Sequence, residues 1–320
     1  MLKGLEWLWG GITLALSGDR GIFSGYSSPY ANVIQYITIS STGNATDFGD
    51  LTYSCDQNGV CCNGLLGTDR MLSAGGTLSG SNTNIIDYIT VSSTGNATDF
   101  GDLSGITTGK TGLSNGSTDR GVFAGNLNTD SLEYVTISST GDATDFGNLS
   151  VERYDSGSVS NGVNDRGVVA GGYTGSYSNV IDYITISSTG TATDFGDITV
   201  AAVRGLRHGA SNDTRERGCF FGGNRGSGYT NVIEYITINS PSNATDFGDL
   251  GNSCSLGGGL SNGHGDRGVV GNADWSPGGP GTEDNTIEYI TISSIGNATD
   301  FGDMITYEEG GGGAGSNGQT

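Results

Sequence analysis

The chain is poor in basic residues, in histidine, in proline and in long apolar runs. Thirteen of its 320 residues are Lys or Arg, and only Lys3 and Lys110 are lysines, against 34 Asp and Glu. A formal net charge of −21 makes the molecule a polyanion, repelled by nucleic-acid backbones and by anionic membrane surfaces, so nucleic acid is excluded as a partner. The two histidines, His208 and His264, fall in different parts of the chain with no recurrent Ser or Cys beside them. No GxSxG, HExxH or P-loop spacing occurs. These gaps lead to the expectation of a protein that is not an enzyme and carries no cofactor. Five cysteines (Cys55, Cys61, Cys62, Cys219, Cys254) are an odd number and include no CxxC pair. Their spacing leaves open a small loop from Cys55 to Cys61 or Cys62, or free thiols near strands. No stretch is long and unbroken enough to span a bilayer. The most apolar, residues 1–18, is interrupted by Glu6 and reads as an N-terminal arm rather than a signal peptide.

Glycine, at 59 residues, is abundant but lacks the three-residue period of collagen; it punctuates β-branched runs. The dominant feature is YITISSTGNATDFGDL, which begins at Tyr36 and recurs from Tyr88, Tyr134, Tyr183, Tyr235 and Tyr289. In each copy a Phe follows the Tyr by twelve residues: Phe48, Phe100, Phe146, Phe195, Phe247 and Phe301. The starts themselves are unevenly spaced, at about 50 residues, so each unit is rigid inside and elastic outside. That period belongs to repeat architectures. Within a unit, an Arg precedes a short apolar run (Arg120-GVFAG, Arg217-GCFFG), then glycine, a polar loop, the strand ending in the Tyr, a tight STGNAT turn and the returning ATDFGDL strand. A segment such as GGGLSNGHG (257–265) leads to the next Arg. The expected fold is all-β, a six-bladed β-propeller of four-stranded blades over residues 19–320.

These residues carry a resemblance. The order Arg, apolar run, Gly-Gly (Gly171-Gly172, Gly222-Gly223), loop, acid-Tyr and a spaced aromatic resembles the kelch repeat, with Phe in place of its Trp. The wording of the repeat also resembles Gly-rich kelch-like repeats of marine bacteriophage virion proteins. The resemblance implies a virion or extracellular surface location.

The termini indicate how the ring closes. Ser316-Asn317-Gly318 aligns with Ser114-Asn115-Gly116, and the Asp-Arg-Gly expected next is Asp19-Arg20-Gly21. Residues 313–320 are therefore expected to supply the inner strand of the first blade, with Ile12–Gly18 as the competing assignment. In five units an acid precedes the Tyr (Asp87, Glu133, Asp182, Glu234, Glu288); pairing with the unit's Arg would make one brace per blade. Paired acids such as Asp47 and Asp50 could hold Ca²⁺ but match no EF-hand or RTX spacing. The NAT sequons at Asn44, Asn96, Asn243 and Asn297 belong to the turn.

Variation points to a binding face. The 3–4 turn never changes length, whereas the 2–3 and 4–1 connections do, and in an antiparallel blade those two share one face of the ring. On it the candidate binding residues are Tyr26, Tyr30, Tyr173, Tyr177, Tyr229 and Trp275, with Arg204, Arg207 and Arg225 of the fifth unit. They suit a glycan or a protein on a surface. Leu5, Trp7, Leu8 and Trp9 of the arm are the candidate assembly residues, for a homo-oligomer or a larger structure.

Overall fold

The computed structural model describes residues 18–27, 30–63, 69–78, 80–115, 119–127, 129–161, 165–199, 205–206, 208–212, 216–276, 285–305 and 311–317. They build six antiparallel sheets of four main strands in a ring, a β-propeller. One 3₁₀ turn, Gly263–Gly265, is the sole helical element among the described residues. Blade two shows the order outward from the axis: Gly59–Cys62, Arg70–Ala74, Ser81–Thr90 and Thr98–Thr107. Blade one takes its inner strand from the other end of the chain. Gly313–Ser316 pairs with Arg20–Ser27, setting Ser316 opposite Gly21 and Gly313 opposite Ser24. The closure read from the repeat alignment is the one observed, and the apolar arm lies outside the described residues.

The invariant twelve-residue spacing has a geometric cause. In every blade the third and outer strands meet with a register shift at the same step. In blade one Gln35 faces Asp47 and Ile34 faces Gly49, leaving Phe48 as the extra residue of a β-bulge. Gly49 follows at φ 148°, and a Cβ there would lie 2.5 Å from the Gly95 carbonyl oxygen in the next blade's turn. The bulge needs glycine for both reasons. The bulged Phe48 meets Tyr36 edge to face with ring centroids 6.1 Å apart, and all six such pairs fall within 6.0–6.2 Å. The phenylalanines are buried in six apolar clusters, one at each seam between blades. Phe48 packs with Met71, Ile89 and Val91 of blade two, and Phe301 with Ile37 and Ile39 of blade one. A strand run that is apolar on both faces is thus covered on both.

The Arg of each unit does not form the expected carboxylate brace. The Arg20 guanidinium lies 4.5 Å from the Tyr36 ring centroid, and its Nη1 donates to the Val91 carbonyl of blade two at 3.0 Å. The arrangement repeats around the ring until Arg267, over Tyr289, donates to Ile39 of blade one. Strand alternation explains the correction: Ile22 faces Tyr36 and Phe23 faces Gln35, so the acid position before the Tyr points away from the Arg. The acids reach back to the preceding blade instead. Asp87 accepts the Thr52 N–H at 2.7 Å, Glu133 that of Ser104 at 2.8 Å and Glu288 that of Gly251 at 3.0 Å. Gln35, the non-acid, accepts the Ile305 N–H at 2.7 Å through Oε1.

Inside the ring the inner strands converge so closely that they read as glycine and serine. A Cβ on Gly112 would strike the Val60 carbonyl, and one on Gly259 the His208 carbonyl. Serine hydroxyls step from blade to blade: Ser160 Oγ donates to Ser114 O, Ser211 to Ser160 O, Ser261 to Ser211 O, Ser316 to Ser261 O and Ser114 to Cys62 O. Cys62 occupies the sixth position, and its thiol is hydrogen-bonded to the Ser316 backbone. One layer further along, Asn63, Asn115, Asn212, Asn262 and Asn317 each donate to the Asp that opens the second strand of the next blade: Asp119, Asp165, Asp266, Asp19 and Asp69. The axis is a packed polar core. All five cysteines are free and buried, so no loop joins Cys55 to Cys61 or Cys62.

Candidate functional site: the variable loop face

The 2–3 and 4–1 connections lie on one face, opposite the invariant turns. At its centre a belt of left-handed residues closes the channel mouth: Gln57, Gly109, Asp155, Gly205 and Leu256 have φ between 55° and 75°. Their peptides bond head to tail. Gly109 N–H donates to Gln57 O at 3.1 Å, Asp155 to Gly109 O at 2.9 Å, Gly205 to Asp155 O at 2.7 Å and Leu256 to Gly205 O at 2.6 Å. Gln57 N–H in turn donates to Gly311 O. Glycine alternates with larger residues because each side chain leans on its neighbour; a Cβ on Gly109 would lie 2.7 Å from Asp155 Oδ1. Bonded in this way, the centre of the face is backbone, and side-chain chemistry is left to the periphery.

There the structure brings several expected residues together. Tyr173 and Tyr177, in the 2–3 loop of blade four, meet edge to face at 5.3 Å, and Tyr154 meets Tyr173 at 5.8 Å. Tyr177 packs across to blade five: its ring would touch a Cβ on Gly226, and its hydroxyl is 3.4 Å from Asn224 Oδ1. In that loop Arg225 donates to Thr230 Oγ1 at 2.6 Å, and the Tyr229 hydroxyl donates to Asp274 Oδ2 at the start of a short strand, Asp274–Ser276. Trp275 sits in this strand, opposite Cys254, rather than in a loop. The result is an arc of half-buried tyrosines running from the blade three–four seam to the edge of blade six. Tyr26 and Tyr30 are strand residues rather than loop residues. They extend the second and third strands of blade one into a tight hairpin, Tyr26 opposite Ala31 and Ser27 opposite Tyr30. Arg204 and Arg207 lie outside the described residues.

Sequence reasoning missed Arg153, Tyr154 and Asp274. Arg153 and Tyr154 stand in the 4–1 connection leaving blade three, in positions no other unit fills with Arg-Tyr. That was the available signal: departure from the repeat in the second of the two variable segments. Arg153 is wholly buried, 2.9 Å from Asp182, and donates Nη2 to Val169 O at 3.2 Å. Burial pulls its guanidinium below its ordinary value while Asp182 resists. Lys110, a second buried cation among the described residues, is likewise lowered by burial and pairs with Glu133 at 3.0 Å. Burial pushes the Glu133 carboxyl up, but Lys110 and the Ser104 donors outweigh it and hold it below the usual range. Asp274 is raised by burial, partly offset by the Tyr229 hydroxyl. Beside Arg153 opens a cavity of about 170 Å³.

Burial raises all five thiols, Cys62 to about 12, which leaves them protonated and inert as nucleophiles near neutral pH. His208 Nε2 accepts the Val60 N–H at 3.3 Å within the axis. Among the described residues no three His, Cys, Asp or Glu side chains converge as a metal site, and no helix is long and apolar enough to cross a membrane.

No family model and no curated protein matches the sequence. Among solved structures, that of YjhT superposes with a TM-score of 0.64 at 12% identity, over 88% of this chain and 94% of that one. At that identity the likeness is one of fold, and it agrees with the six-bladed ring built above: the chain is a β-propeller.

Proposed function

We propose that this chain is a non-enzymatic, kelch-like binding propeller that presents its variable loop face to a glycan on a surface, itself carried on a virion or another extracellular surface. One observation carries the reading. The tyrosines that depart from the repeat gather into a single half-buried arc, Tyr154, Tyr173 and Tyr177, continued across the blade four–five seam to Tyr229. Amphipathic rings held at an edge, with hydroxyls turned to polar partners, suit the mixed apolar and hydroxylated faces of sugars. The remainder of the fold is committed to its own closure: the axis is filled, the thiols are buried, and the buried cations are paired within the protein. Kelch-type ancestry is supported by the Gly171-Gly172 and Gly222-Gly223 doublets and by the Tyr–Phe pair of every blade.

The test is a glycan array probed with wild-type protein and with Tyr173→Ala/Tyr177→Ala. Binding by the wild type and its loss in the variant are the expected result. A silent array, with a protein partner captured through the same tyrosines, would move the face from glycan to protein recognition. The alternative reading is an architectural protein that assembles through Leu5, Trp7, Leu8 and Trp9 of its arm. Solution mass tests it: Trp7→Ala/Trp9→Ala should yield a folded monomer where the wild type forms a larger species.

A further inference from the structure

The cavity at the seam of blades three and four specifies more than a general binding face. It is lined by Leu127 from the 2–3 loop of blade three, by Glu152, Arg153 and Tyr154 from the connection leaving that blade, and by Tyr173 and Thr174 of blade four. Its walls are pre-formed. Tyr154 N–H donates to Tyr173 O at 3.2 Å and Tyr173 N–H returns to Tyr154 O at 2.9 Å, so the two ring-bearing residues are clamped as an antiparallel bridge. Behind them Arg153 is fixed by Asp182 and Val169. A cavity of about 170 Å³ has room for several waters, or for one small ring in their place.

The chemistry of the lining selects among ligands. Two tyrosine rings and Leu127 offer an apolar surface, Thr174 a hydroxyl, and Glu152, exposed at the rim, a carboxylate able to accept two hydroxyl donors. Arg153 brings a positive charge, but Asp182 neutralises it, and Glu152 leaves the pocket acidic on a chain of net charge −21. An anionic ligand would be repelled. A cationic one would meet a single rim carboxylate and no other acid among the lining residues, whereas a neutral ring uses the apolar walls, the hydroxyl and the carboxylate together. We infer that this cavity is a subsite for one neutral saccharide ring, stacked against Tyr173 and Tyr154 with its hydroxyls on Glu152 and Thr174. The inference rests on the glycan reading above and names the part of the face that makes the contact.

Saturation-transfer NMR tests it, with the methyl glycosides of glucose, galactose and mannose as neutral probes, glucuronate as the anionic probe and choline as the cationic one. At least one neutral glycoside should receive saturation from the wild type, and its affinity should fall about tenfold or more in Tyr173→Ala and in Glu152→Gln. Thr174→Trp, which fills the cavity mouth while leaving both tyrosines in place, should abolish the signal at an unchanged melting temperature. Failure of all three neutral glycosides to bind, or binding indifferent to Thr174→Trp, overturns the inference, as does preference for glucuronate or choline. Array binding that survives Thr174→Trp would sink the subsite and spare the broader reading. A silent array with the glycoside still bound in the cavity would do the reverse.

Discussion

Single residues carry this fold in two ways, as seam fillers and as buried charges. Phe195 is 2% exposed and packs between Tyr183 of its own blade and Phe220, Ile236 and Ile238 of the next. Phe195→Ala should destabilise the protein by about 3–5 kcal/mol, read from the denaturant midpoint. An unchanged midpoint would remove the aromatic pair from the seam. The Lys110–Glu133 pair gives a pH signature. Glu133 has a carboxyl held below its ordinary range, so its contribution to stability is complete above the unfolded-state value of about 4.3 and is lost as pH falls through the lower folded-state value. Glu133→Gln alone strands the buried Lys110 charge and should cost roughly 3–5 kcal/mol, whereas Lys110→Met with Glu133→Gln should cost clearly less and lose that component of acid sensitivity. A double variant as unstable as the single one would mean that the pair is not what holds this seam.

At the level of elements, the hydrogen-bonded links from the end of each inner strand to the next blade are nearly equivalent, and their one exception is informative. Five asparagines reach an Asp of the next blade, and each of those Asp carboxylates also accepts the N–H of a serine in its own blade's 3–4 turn, as Asp119 does from Ser138 and Asp266 from Ser293. At blade five both partners change, to Glu216 and Asn239, and the facing Asn161 is buried with neither amide atom hydrogen-bonded. Glu216→Asp with Asn239→Ser should restore the link and add about 0.5–1.5 kcal/mol at an unchanged denaturant slope. No gain would show that Asn161 is satisfied in another way. This contrast also explains what was legible beforehand. The strands, the bulge-bearing Tyr–Phe spacing and the closing strand recur in sequence, so repetition exposed them. The Arg was placed correctly, but its partner was not. Arg and acid lie close in the chain, yet the pleat sends them to opposite faces, and the acceptor Arg uses is a backbone carbonyl with no sequence signature. Arg153 and Tyr154 escaped for the opposite reason: they occur once, and only the fold brings them beside Tyr173.

For the whole molecule, closure and recognition are separable. Gly313–Ser316 is one strand of blade one, and Ser316 and Asn317 link it to blades six and two. Truncation after Gly312 should open the ring and lower the melting temperature sharply, whereas removal of residues 1–11 should leave it unchanged; the reverse pattern would contradict the closure. The proposed recognition face lies on the opposite side of the same frame from the invariant turns. The most direct measurement is amide hydrogen exchange across the intact protein, with and without the glycan that binds it best on the array. The account predicts new protection at residues 152–154 and 173–177, with none in the 3–4 turns such as 41–45 and 93–97. Protection confined to those turns, or spread evenly over both faces, would contradict it.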